Sequence, residues 1–105
     1  MLCEGSITKL MQRRIESAEE YANGARDDRQ LKAIRSMMRS AAMQMSEASA
    51  FANALGNWRL SAALSTAAIC AGKSATATRR IDATCERLAF YRTLEHVKTT
   101  LTKGV

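Results

Sequence analysis

Between Asp28 and Leu55 the apolar residues recur as Leu31, Ile34, Met37, Met38, Ala41, Met45, Ala48, Ala52 and Leu55. This is the i, i+3, i+4, i+7 spacing of one helical face, and it predicts a continuous helix over 28–55, about 40 Å long at ~1.5 Å per residue. An element of that length, apolar along one side, must be covered from end to end. The remaining chain is therefore expected to pack around it.

Ahead of it, Ser6 is a good N-cap for a helix over 7–23. That helix carries Ile7, Leu10, Met11, Ala18, Tyr21, Ala22 and Ala25 along one side and Glu16, Glu19 and Glu20 along the other. Asn23 and Gly24 supply a left-handed stop, and Asp27 or Asp28 caps the long helix and complements its dipole. So short a turn predicts antiparallel neighbours. Gly56 and Asn57 mark the next break, before a helix over 58–71 with Leu60, Ala63, Leu64, Ala67 and Ala71 inward. Trp58 falls on the opposite side of that helix. It is read as a plug at the end of the bundle, with an exposed binding anchor as the alternative.

Gly72 closes the third helix and Ser74 caps a fourth, over 75–103. Here two apolar faces compete. Ile81, Cys85 and Leu88 share one, whereas Phe90, Leu94, Val97 and Leu101 share another about half a turn round at ~100° per residue. Either the helix bends near Ala89 or its second half leaves the core. The 4-3-4 spacing of Phe90, Leu94, Val97 and Leu101 predicts a homodimer contact or a partner groove contact, the alternative being burial against the first helix.

Proline is absent, glycine numbers 5 and 47% of the 105 residues are hydrophobic. Little interrupts a helix and little alternates as a strand does, so the fold class is all-α: a compact antiparallel bundle of about four helices in one domain, 1–105. No run of ~18 apolar residues suggests a membrane span, and Met1-Leu2-Cys3-Glu4-Gly5 lacks the basic and apolar regions of a signal peptide. A cytoplasmic location is expected. Cys3, Cys70 and Cys85 suit reduced thiols, with Cys70 and Cys85 as small core residues. Met11, Met37, Met38 and Met45 are expected to fill the core, and Met43 to lie beside the polar face.

The formal net charge is +6 and belongs to the middle of the chain. From Arg29 to Arg80 eight basic residues face one acid, Glu47, while the two ends together carry eight bases and nine acids. Lys32, Arg35 and Arg39 form a stripe opposite the Met/Ala face, with Arg29 at its edge. A polar outer helix face ordinarily does no more than hold water. Almost no acids interleave with the bases of this one, so little of the i, i+4 pairing that neutralises a solvated face is expected, and such a patch attracts polyanions: nucleic acid or an acidic protein surface.

From Leu64 to Ile81 the chain runs LSTAAICAGKSATATRRI. With small Ala68 at a crossing, Gly72 in a turn, Ser74 capping a second helix and Ile81 packing back, it resembles the helix-turn-helix segment of bacterial repressors. The resemblance implies that Ala75, Thr76, Arg79 and Arg80 face the major groove or its phosphates. Thr78 and Lys73 depart from that pattern, which favours a buried aliphatic residue and an apolar turn residue there. An ordinary helix-Gly-helix corner is the alternative.

His96 is the single histidine. No nucleophile with a base, no zinc spacing and no glycine-rich phosphate loop accompany it, so neither catalysis nor a cofactor is expected. The expected function is binding without chemistry. Arg29, Lys32, Arg35, Arg39, Lys73, Thr76, Arg79 and Arg80 would contact an acidic or nucleic-acid-binding surface of a partner. Small phage- and plasmid-encoded inhibitors, anti-CRISPR proteins among them, offer an analogy of type. The alternative is a DNA-binding regulator using residues 64–81.

Overall fold

The computed structural model describes residues 3–26 and 30–103. They form four helices, α1 (Glu4–Arg26), α2 (Leu31–Ala54), α3 (Trp58–Thr76) and α4 (Arg80–Lys103), with no strand among the described residues. Cross-helix contacts run antiparallel throughout. Arg14 meets Glu47 between α1 and α2, Ser49 meets Ser61 and Ser65 between α2 and α3, and Ser74 meets Ala83 between α3 and α4. The bundle measures 42 × 22 × 18 Å, its long axis a little longer than α2.

The face read on the long helix is the face that is buried: Ile34, Met38, Ala41, Met45, Ala48 and Ala52 are each 0–1% exposed, whereas Leu55 at its end is only half-buried. Met11 is buried with them, Met37 is half-buried, and Met43 is exposed. Small residues let α1, α2 and α3 approach closely. Gly24 shows how closely, since a Cβ there would lie 3.3 Å from the Met37 sulfur.

Gly56 ends α2 as expected, at φ +75°, a left-handed conformation that glycine adopts without the Cβ clash of other residues. Asn57 then caps α3, its Oδ1 accepting from the Leu60 N–H at 3.2 Å. Other boundaries differ from the expectation. α1 starts two residues before Ser6, its first bond running from the Ile7 N–H to the Cys3 carbonyl, and it does not stop at Asn23 and Gly24, because Ala25 beyond them is fully buried. The expected caps Asp27 and Asp28 lie outside the described residues.

The largest correction to the helix boundaries concerns α3, which passes through Gly72 to Thr76. An interior glycine costs about 1 kcal/mol against alanine, but Ala71, Ser74 and Ala75 all lie on the buried face, and ending the helix at Gly72 would forfeit that packing. Ser74 is a buried helix residue rather than a cap. Its hydroxyl donates to the Ala83 carbonyl at 2.7 Å, clasping α3 to α4 across the turn at 77–79.

α4 is continuous past Ala89, and only one of its two apolar faces is core. Ala83, Phe90, Leu94 and Val97 are buried, Leu101 is half-buried, and Arg87 and Thr100 complete the face. The stripe expected to contact a second copy is thus occupied by the protein's own interior, so Phe90, Leu94, Val97 and Leu101 offer no dimer surface. The opposite face is the open one: Ile81 is 65% exposed, Leu88 49%, and Cys85 is exposed instead of buried. Cys70 is half-buried, with its sulfur 3.9 Å from the Thr93 hydroxyl. Trp58 is 70% exposed and plugs nothing, and Tyr21 on α1 also faces out.

α1 and α4 approach each other least of the adjacent helices, and longer polar side chains bridge them. The Tyr91 hydroxyl donates to the Ala22 carbonyl and accepts from the Arg87 guanidinium. The Arg26 guanidinium stacks 3.8 Å over the Tyr91 ring centroid, and Lys98 pairs with Glu19 at 2.5 Å.

Candidate binding interface

The basic stripe of α2 and the basic residues after Gly72 are forty positions apart in sequence, and one hydrogen bond places them side by side. Arg35 Nε donates to the Ala75 carbonyl at 3.0 Å. A carbonyl in the last turn of a helix lacks an intrahelical donor and carries the negative end of the helix dipole, so a guanidinium is well placed there. Arg35 has Lys32 and Arg39 one turn to either side of it on α2, and it meets the last turn of α3, which also carries Lys73 and Thr76 and leads on to Arg79 and Arg80. A shallow groove of about 490 Å³ follows the stripe, lined by Leu31, Lys32, Arg35, Ser36 and Arg39.

These residues do not contribute alike. Lys32, Arg39, Lys73 and Arg80 are exposed and meet no carboxylate among the described residues. Arg79 is held by Asp82 through two bonds, Nε to Oδ2 at 2.9 Å and a second guanidinium nitrogen to Oδ1 at 3.3 Å, and this carboxylate pushes its pKa above the ordinary arginine value. Part of its charge is thereby spent within the chain. Arg35 is half-buried and serves the fold. The Thr76 hydroxyl donates to the Gly72 carbonyl of its own helix at 3.0 Å, so its proton is not directed toward a partner. Arg29 lies outside the described residues.

The helix-turn-helix geometry is absent. Residues 64–76 belong to the single helix α3, so the motif has no turn at Gly72 and no separate second helix. Ala75, assigned to the major groove by that resemblance, is 2% exposed, and Ile81, expected to pack back, is 65% exposed. Nothing in the described geometry favours a sequence-reading element here.

A second basic concavity lies between α3 and α4, a groove of about 480 Å³ lined by Arg59, Ala62, Ala63, Thr66, Arg92, Thr93 and His96. The sequence pattern did not bring these residues together. Arg92 and His96 are an i, i+4 pair, but placing them beside Arg59 requires knowing which face of α4 is buried, and the two candidate faces carried similar apolar content. Among the described residues no cluster of His, Cys, Asp and Glu could hold a metal ion, and no helix is long and apolar enough to cross a membrane. No family model, no curated protein and no solved structure matches the chain.

Proposed function

We propose that this is a non-enzymatic binding protein whose basic end docks on an acidic or nucleic-acid-binding surface of a partner protein, in the manner of a small inhibitor or adaptor. The observation that carries the reading is the set of four exposed cations, Lys32, Arg39, Lys73 and Arg80, that meet no carboxylate among the described residues and lie on the segments around the Arg35–Ala75 hydrogen bond. Elsewhere the chain does pair its charges: Arg14 with Glu47 at 2.8 Å and Lys98 with Glu19. Like charges left together repel, and an anionic partner relieves that repulsion while steering association.

The test is a pull-down from the source cell with the wild type and with Lys32→Glu/Arg39→Glu/Lys73→Glu. Arg35 is left alone because its bond to Ala75 is structural. The variant should melt within a degree or two of the wild type, since exposed charges contribute little to stability, and should lose the partner. The remaining wild-type interaction should weaken steeply with added salt. Capture of the same partner by both proteins would end the proposal.

A further inference from the structure

The α3/α4 groove differs chemically from the basic end and uses none of its four exposed cations. Its charged or chargeable groups come from two helices, Arg59 from α3 and Arg92 and His96 from α4, and no carboxylate lines it. Its two hydroxyls are turned away from any ligand: Thr66 donates to the Ala62 carbonyl at 3.0 Å and Thr93 to the Ala89 carbonyl at 2.9 Å. The remaining side-chain donors are two guanidiniums and an imidazole, and neither guanidinium has an ion pair among the described residues. A guanidinium only donates, so the groove selects a ligand rich in acceptors and negative charge. Ala62 and Ala63 keep part of the wall small, which leaves room for that ligand.

The form of the groove narrows the class. It lies along the seam of two antiparallel helices and is open to solvent, which suits an extended chain better than an enclosed small molecule. Trp58, the residue before Arg59 at the start of α3, is 70% exposed, the most exposed of the large hydrophobic side chains among the described residues. An acidic peptide would satisfy the guanidiniums but leave the indole in water, and a duplex keeps its base faces stacked on one another. A single strand offers both a charged backbone and free base faces, and cationic grooves edged by an aromatic side chain recognise such strands in this way.

We propose that the α3/α4 groove binds the phosphate backbone of a single-stranded nucleic acid through Arg59, Arg92 and His96, with Trp58 as the surface on which a base stacks. Trp58 is the single tryptophan, so its emission reports directly on that contact. The experiment titrates the full chain at low salt with a short oligothymidylate, following tryptophan fluorescence, and in parallel follows the anisotropy of a labelled oligothymidylate. Saturable quenching is expected. Arg59→Gln/Arg92→Gln should weaken binding by at least about tenfold with its melting temperature retained, and Trp58→Ala should weaken anisotropy-detected binding by about tenfold, the loss of one stacked base. Lys32→Glu/Arg39→Glu should bind as the wild type does, which separates this groove from the basic end.

Absence of binding by both readouts overturns the proposal, and so does binding that survives Arg59→Gln/Arg92→Gln. Equal competition by polyglutamate would assign the groove to acidic peptides instead, and equal binding of a duplex would remove the role given to Trp58.

Discussion

Where α1, α2 and α3 meet, many of the buried residues are alanines: Ala18, Ala22, Ala25, Ala41, Ala48, Ala52 and Ala67. Where α4 joins them they are Phe90, Leu94, Val97 and the stem of Arg87, and the span to α1 is closed by Tyr91 and Lys98. In the first region these alanines bring the backbones close together, and Met11, Ile34, Met38, Met45, Leu60 and Leu64 fill the spaces between them. The second is held by large groups and polar bridges across a wider gap. Stability should therefore be sensitive to added volume at the alanine contacts of the first region and to removed volume at the large side chains of the second.

Phe90→Ala should do the most damage. It is the largest fully buried side chain, and its removal should cost about 3–5 kcal/mol, a large share of the roughly 5–15 kcal/mol that holds a small domain together. Chemical denaturation followed by circular dichroism would measure it, and a loss below ~1 kcal/mol would mean that α4 is only loosely seated. Ala67→Leu tests the other region: forcing three extra carbons into the alanine-lined core should cost about 1–3 kcal/mol, whereas a neutral result would reveal unfilled space there.

Gly24→Ala sharpens the comparison further. The new methyl would meet the Met37 sulfur at 3.3 Å, but a thioether on a flexible stem can yield by a few tenths of an ångström. The helical gain of about 0.5–1 kcal/mol should then prevail and raise the melting temperature. A lower melting temperature would show Met37 to be locked in place.

Lys98→Met should have the smallest effect, about 0–1 kcal/mol, because the lysine is 44% exposed and water screens the pair. Its hydrogen bond to Glu19 holds the Lys98 pKa above the ordinary value of 10.5, against a smaller opposing contribution from burial. A cation with a raised folded pKa contributes stability that is present below its unfolded pKa and lost as the pH rises through the folded one. The difference between wild type and Lys98→Met should therefore be constant at neutral pH and vanish in strong alkali. A difference that persisted there would have to come from packing of the lysine stem.

The same contrast explains what could be read from the chain alone. α2 has one apolar face, and its burial from Ile34 to Ala52 follows from spacing. α4 has two, and the face that wins contains Arg87 and Thr100, polar residues that disguise it, while the losing face carries Ile81 and Leu88. Periodicity reports that a helix is amphipathic but not which of two rival faces meets the core. Gly72 misled for a related reason: local propensity favours a stop there, and only the contacts of Ser74 and Ala75 with the rest of the bundle outweigh it. For the interface, clustered charge was visible in the sequence, but the division of labour among the cations was not. The Arg35 bond to Ala75 and the Arg79 pairing with Asp82 depend on where the third helix ends.

The Ser74 clasp bears on how fast and how tightly a partner is held. By tying the last turn of α3 to the first turn of α4 across 77–79, it leaves Arg79 and Arg80 on a corner whose backbone is already ordered. A flexible loop with the same charges would surrender conformational entropy on docking, about 1–2 kcal/mol for each residue fixed. Here that loss falls during folding, and association draws only on side-chain freedom. Ser74→Ala would keep every charge in place, so any weakening of partner binding it caused would measure the value of a rigid corner separately from the value of its charge.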